Sequence, residues 1–274
     1  MAIKRIKKEY SIQAVGNALD VLEQFKGTKG EMGITEMSKN LGLHKNNIFR
    51  LLATLENRGY IEQDLNTGNY RLSTGILELS FAYSKHTGLL EVAKPILNQL
   101  VLQINENAYI GLMRHNQLVY VEHVESNQML KVSSRIGYRL SPLCTATGKI
   151  IFAYSSEEEQ KKILQANKFV KHTPKTILTE KAFYEDVKKI MESGYALDNE
   201  EFDDGVTCIA GPILNYEKKI VAGLSVSGPT SRLNGKVLKE KIIPAVLQAS
   251  YQISRAIGYI GKDFSTNFRI EWEE

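Results

Sequence analysis

Asn46, Asn47, Arg50 and Thr54 fall within His44–Asn57, a stretch whose apolar residues Ile48, Leu51, Leu52 and Leu55 recur at i, i+3, i+4 and i+7. That period predicts a helix with a single buried stripe. At ~100° per residue, Asn46, Arg50 and Ala53 lie opposite the stripe, flanked by Asn47 and Thr54. These residue types suit a DNA major groove. Arg can bridge guanine O6 and N7, Asn can bridge adenine N6 and N7, and a small Ala permits close approach. Lys45 at the helix start and Arg71 further along the chain are candidates for phosphate contacts. A solvated amphipathic helix shows the same polar face, so this helix alone leaves both readings open.

The elements around it favour the groove reading. Thr35 is placed to cap a short helix, Glu36–Leu41, and Gly42 to end it in the left-handed conformation. Gly59 ends the second helix. Tyr60–Gln63 and Asn69–Leu72 then read as two strands joined by the turn residues Asp64–Gly68. Ahead of them, Ile12–Phe25 is a helix with the expected buried stripe Val15, Ala18, Leu19, Leu22 and Phe25, and Gly27–Gly33 reads as a loop. Three helices and a hairpin wing over residues 11–73 make a winged helix-turn-helix, whose partner is duplex DNA.

Residues 74–88 read as a linker helix. Leu89–Asn105 is amphipathic, with Pro95 early in it. From Ala108 the period becomes that of strands: Tyr109–Met113 and Leu118–Val124 form a hairpin, and Leu130–Ser134 is a further strand. Ala146–Tyr154, Glu157–Asn167 and Lys181–Ser193 read as helices. Strands are expected at Tyr195–Asp198, Val206–Pro212 and Ile220–Val226, with a closing helix at Asn234–Ile257. This mixture predicts an α+β second domain over 89–260, mostly antiparallel, followed by a tail at 261–274.

A length of 274 residues fits two domains, and 24% charged residues with 43% hydrophobic ones is ordinary for a folded chain. No apolar run reaches ~18 residues, and the basic start Lys4–Lys8 is not followed by an apolar stretch, so neither a membrane span nor a signal peptide is expected. Cys144 and Cys208 make no disulfide framework, which fits a cytoplasmic location. The net charge is +4, and residues 1–88 hold 12 Lys and Arg against 9 Asp and Glu. The positive excess thus sits with the candidate DNA reader, where the Lys4–Lys8 arm could add phosphate contacts.

Enzyme motifs fail on inspection. Ala146–Lys149 resembles the end of a phosphate-binding loop, but Leu143 stands at the leading Gly position and Ile150 follows the Lys. Gly223–Ser227 would be a nucleophile elbow only if Ser227 were Gly. Asp198, Glu200, Glu201, Asp203 and Asp204 lack calcium-loop spacing, and the five His show no metal-ligand spacing with either Cys. No catalytic residue, metal or cofactor is expected.

Several segments together resemble the isocitrate lyase regulator (IclR) family of bacterial transcription factors. They are AVGNALDVLEQF (14–25), ITEMSKNLGLHKNNIFRLLATLENRGYIEQDLNTGNYRL (34–72), CTATGK (144–149), SGYALDNEEFDDGVTCIAGPI (193–213) and VAGLSVSGPTSRL (221–233). The resemblance spans residues 12–260 in the family's order. It implies a winged helix-turn-helix joined by a linker helix to a PAS/GAF-like effector domain. It also implies homodimers, commonly paired into tetramers, on short palindromic operators, with effectors that are keto acids, other carboxylates or aromatic acids. Carried onto this sequence, the family's pocket falls at Met129, Ala146, Thr147, Gly148, Asp198, Val206, Cys208, Ser225 and Ser227. Thr147 stands where the family commonly has a smaller residue, and LSPL (140–143) replaces its usual Pro-Leu-His run. The expectation is a ligand-responsive regulator of the repressor type. Alternatives are a ligand-insensitive architectural DNA-binding protein or a small-molecule enzyme fused to a DNA module.

Overall fold

The computed structural model describes residues 12–25, 30–79, 88–133 and 136–264. The chain divides into two compact units, Met1–His86 and Thr87–Glu274.

The first unit contains helices α1 (Gln13–Glu23), α2 (Ile34–Leu41) and α3 (Lys45–Asn57) and strands β1 (Glu31–Met32), β2 (Ile61–Gln63) and β3 (Tyr70–Leu72). Its core is Val21, Met37, Ile48, Leu52, Ile61 and Tyr70, all nearly inaccessible. Truncating a residue such as Leu52 to Ala there would cost ~2–5 kcal/mol. The three strands form one antiparallel sheet in the order β1-β3-β2, with Arg71 opposite both Glu31 and Glu62.

Three expectations are corrected in this unit. The α1 stripe is rotated: Val21 and Phe25 are buried and Ala18 and Leu22 pack against the core, whereas Val15 and Leu19 are exposed. Ala18, Val21, Leu22 and Phe25 recur at i, i+3, i+4 and i+7, so the helical period holds on a neighbouring face. Helix α2 starts at Ile34 with an extended Gly33 as its N-cap, so Thr35 lies inside the helix. Gly33 allows the approach of the Asn69 carboxamide, which would meet a Cβ there at 2.9 Å. Within the expected loop, Glu31–Met32 forms a strand on the outer edge of β3. Gly42 ends α2 as expected, at φ 65°.

The expected linker helix is described only through residue 79, and residues 75–79 are helical. The basic arm at Lys4–Lys8 and residues 265–274 of the expected tail lie outside the described residues.

The second unit is α+β. Strands β4 (Asn107–Arg114), β5 (Gln117–Val124), β6 (Arg139–Leu140), β7 (Ala196–Asn199), β8 (Val206–Leu214) and β9 (Ile220–Pro229) form an antiparallel sheet in the order β6-β5-β4-β9-β8-β7. Side chains alternate across it. Ala108, Ile110, Ile209, Ile213, Leu224 and Val226 enter one core with α4 (Leu89–Ile104) and α8 (Ile243–Ala256). Tyr109, Tyr120 and Ala210 enter another with α5 (Ala146–Tyr154) and α7 (Glu180–Ser193). Helix α6 (Glu157–Ala166) opens with a capping box, Ser156 and Glu159.

Two element assignments change here. Residues 130–133 of the expected strand Leu130–Ser134 are not a strand, and Ser134 is outside the described residues; Arg139–Leu140 instead pairs with Leu118 and Val119 on β5. The closing helix is interrupted by a π-helical turn, Leu238–Ile242. Pro244 lacks the N–H that an α-helix would aim at the carbonyl of Glu240, which accounts for the break.

Candidate functional site

Each unit presents one candidate surface. In the first unit, α3 buries Ile48, Leu52 and Leu55 and turns Lys45, Asn46, Asn47, Arg50 and Thr54 to solvent. His44 caps the helix by accepting from the Asn46 backbone N–H at 3.3 Å. The Thr54 hydroxyl donates to the Arg50 carbonyl at 2.9 Å, so it can offer a base only acceptor lone pairs in this rotamer.

Arg71 is exposed on β3, but its Nε donates to Glu62 Oε1 at 2.6 Å and its Nη1 lies 4.0 Å from Asp64 Oδ2. The hydrogen bond from Arg71, with a second from Ser73, holds the Glu62 carboxyl below its ordinary pKa. A phosphate would have to share this guanidinium with Glu62.

In the second unit, the candidate site is a cleft on the α5 face of the sheet. It measures about 420 Å³ to its open mouth, of which only about 30 Å³ is reachable by the centre of a water molecule. That is enough for a water or two. Tyr109, Tyr120, Cys208 and Ser227 rise from the strands, Thr145 and Ala146 stand at the start of α5, and Asp198 closes one side. Phe202 and Asp203 come from the turn between β7 and β8, Val206 from the start of β8, Val132 and Ser133 from the segment after β5, and Leu140 from β6.

The start of α5 has no side-chain cap, because the Thr145 hydroxyl donates instead to the Ser141 carbonyl at 2.9 Å. Backbone N–H groups there are left for another acceptor. Asp198 is buried, and its Oδ1 accepts from the backbone N–H of Glu201 at 2.7 Å and of Phe202 at 3.3 Å. Burial raises its pKa to about 7 despite those hydrogen bonds, and the Glu201 carboxylate adds to the rise. Near neutral pH, Asp198 therefore divides between a hydrogen-bond donor and an anion. Ser227 Oγ donates to Cys208 Sγ at 3.1 Å. Burial pushes the Cys144 thiol up to about 12, and neither cysteine is in a disulfide.

Of the nine expected pocket residues, Ala146, Asp198, Val206, Cys208 and Ser227 line the cleft together. Met129 is fully exposed and contributes no wall. Its segment is held by Arg232, which donates to the Leu130 carbonyl at 2.9 Å, and by Asn107, which donates to the Val132 carbonyl at 2.9 Å. Those tethers bring Val132 and Ser133 to the cleft instead. Thr147, Gly148 and Ser225 lie beneath the lining. Thr147 is wholly buried, with its hydroxyl 3.1 Å from that of Tyr120, and Ser225 is wholly buried nearby on β9. Gly148 faces Pro142, where a Cβ would meet the Pro142 Cα at 2.3 Å. Sequence reasoning missed Tyr109 and Tyr120, although both fall on the Ser225 and Ser227 face by register: Tyr109 pairs with Ser225 across β4 and β9. It also missed Lys149, a lysine in the otherwise apolar run ATGKIIFAY, which is 1% exposed.

A helix-turn-helix with a wing, followed by an α+β unit holding a mainly apolar cleft with a few polar groups, is an architecture suited to a transcriptional regulator. The model of the IclR helix-turn-helix domain matches residues 14–65, and that of the bacterial transcriptional regulator IclR C-terminal domain matches 81–255. The chain belongs to the IclR family. It is 34% identical to the HTH-type transcriptional regulator XynR of Escherichia coli over 248 residues, covering 90% of this chain and 98% of XynR. With KdgR of the same organism it is 31% identical over 254 residues, covering 92% and 95%. A putative IclR regulator from a Silicibacter species superposes with a TM-score of 0.76 at 25% identity, covering 92% and 98%. An IclR homolog from Microbacterium hydrocarbonoxydans, solved with 4-hydroxybenzoate, superposes with a TM-score of 0.80 at 20% identity, covering 89% and 98%. Both XynR and KdgR are HTH-type transcriptional regulators, and this chain is a DNA-binding regulator of that kind rather than an enzyme.

Proposed function

We propose that the protein is a repressor whose operator affinity is set by a small carboxylate, a keto acid or an aromatic acid, bound in the second-unit cleft. One observation carries the ligand class: the uncapped N-terminus of α5 opens on the cleft beside Asp198 and Ser227. Oriented N–H groups and the helix dipole favour an anionic oxygen there. A protonated Asp198 can donate to the same ligand, and the Ser227 hydroxyl can do so by turning away from Cys208. The ligand bound by the Microbacterium homolog is such an acid. Because the cleft is narrow, a ring-sized ligand requires its walls to part, which gives binding a means of favouring one arrangement over another.

In this reading Asn46, Asn47, Arg50 and Thr54 face the major groove of a short palindromic operator, and Lys45 and Arg71 engage phosphates. The domains run 11–73 for the reader, 74–88 for the linker helix and 89–260 for the effector and oligomerisation domain, with a tail at 261–274. The chain works in the bacterial cytoplasm as a homodimer or a dimer of dimers, since a two-fold operator calls for two readers. A mobility-shift titration with an operator fragment, run with pyruvate, 4-hydroxybenzoate and a panel of related acids at fixed salt, tests this reading. Operator affinity should change with one acid class, and indifference to the whole panel would sink the ligand claim.

A further inference from the structure

The Lys149 side chain is not part of the cleft lining, yet at 1% exposure it is buried directly behind it, one helical turn from Thr145 at the start of α5. A lysine so buried must be paired. Its Nζ lies 2.6 Å from Glu201 Oε1 and 2.8 Å from Asp186 Oδ2 of α7. Burial works against the ammonium, but Glu201 and Asp186 outweigh it and hold its pKa above that of an ordinary lysine.

Glu201 belongs to the turn between β7 and β8, the one whose backbone N–H groups at Glu201 and Phe202 grip Asp198 Oδ1. The outer side of the turn is tied by Thr176, whose hydroxyl donates to the Glu201 carbonyl at 2.7 Å, and by Thr173, which donates to the Glu200 carbonyl at 2.6 Å. Both threonine contacts reach backbone; the Glu201 carboxylate is gripped by Lys149. Asp198 is faced by Glu201 from the turn and Lys149 from α5, by Tyr120 and Cys208 from the strands, by Cys144 ahead of α5, and by Asp203 at the cleft.

We propose that Lys149 is a positioning residue for the ligand cleft: by anchoring Glu201 to α5 and α7 it holds the β7–β8 turn so that Asp198 stays buried opposite the start of α5. The inference rests on the cleft being the carboxylate site, but its first test needs no ligand. Burial is the main reason the Asp198 carboxyl is raised to about 7. A turn released by Lys149→Met would hydrate Asp198 and return its titration toward the ordinary carboxylate range. Carbon-13 NMR of the intact protein reads this, with the resonance assigned by its loss in Asp198→Asn. Lys149→Gln serves if the Met variant does not fold. An Asp198 titration that stays near neutral, or moves higher because only the cation was lost, would overturn the proposal.

The second test is a double-mutant cycle by calorimetry with pyruvate and 4-hydroxybenzoate as probes. Lys149→Met should weaken the bound probe ~10-fold in the wild-type background but under ~2-fold in Asp198→Asn, because the lysine acts through the aspartate. Equal losses in both backgrounds would mean a general structural role and refute it. If neither probe binds the wild type, the carboxylate reading fails, while the NMR titration still decides whether Lys149 positions Asp198.

Discussion

The hydroxyl of Tyr120 on β5 meets Thr147 Oγ1 on α5 at 3.1 Å, both atoms buried beneath the cleft. The pair fixes the phenol ring that forms part of the cleft wall. The Thr147 Cγ2 methyl fills the room left by two strand glycines: a Cβ at Gly111 would approach it to 2.7 Å and one at Gly223 to 2.8 Å. Thr147 thus occupies the space that the two glycines leave.

That fit makes a compensation experiment possible. Gly223→Ala should destabilise the protein by ~1–3 kcal/mol through overpacking against Thr147. Thr147→Ser keeps the hydroxyl for Tyr120 and removes the methyl, so the double variant should recover most of the loss. Denaturant midpoints of the two single variants and the double variant check it. Additive losses would show that the clash lies elsewhere, for example at Ile150, whose Cγ2 would stand 3.0 Å from the new Cβ.

Much of this was legible in the sequence because periodicity reports which faces are buried. The α3 stripe, Gly42 at the end of α2 and the β4–β5 hairpin follow from spacing alone. What spacing could not give was which of two adjacent apolar stripes α1 buries, since Val15 and Leu19 fit a helix as well as Val21 and Phe25 do. Nor could it give contacts closed over long separations. Lys149 finds Glu201 across 52 positions of chain and Arg232 finds Glu106 across 126, so neither cluster has a local signature. Met129 was misplaced for the same reason, because the tethers from Asn107 and Arg232 decide which residues of its segment reach the cleft.

Arg50 is the residue on α3 best suited to bidentate base contact. Arg50→Ala should cost ~1–3 kcal/mol at the specific operator and leave binding to random duplex nearly unchanged. Parallel mobility shifts on both DNAs at one salt concentration make the comparison. Equal weakening on the two would assign Arg50 to phosphate instead.

Glu62 restrains the Arg71 guanidinium across the wing. If Arg71 engages phosphate, Glu62→Gln releases it and should tighten binding to any duplex at low salt. Arg71→Ala should weaken binding and reduce the slope of log affinity against log salt by ~1. A Glu62→Gln variant with unchanged affinity and slope would show that the wing arginine serves the hairpin and not the DNA.

Asp198 links the cleft to pH. Its carboxyl is raised from an ordinary 3.8 to about 7, with burial as the main cause. A raised acid favours folding while protonated: its contribution is fully present below the unfolded value near 4 and is lost as pH rises through 7. Asp198→Asn keeps an oxygen for the Glu201 and Phe202 N–H groups and cannot ionise. Its melting temperature relative to wild type should therefore climb between pH 4 and 7 and level off above, where removing the buried anion is worth on the order of a few kcal/mol. The amide also retains a donor toward a bound carboxylate, so wild-type affinity for such a ligand should decline as pH rises across neutrality, and the variant's should not. A variant less stable than wild type by the same margin at every pH would mean that Asp198 is ionised throughout, held as an anion by its two backbone donors.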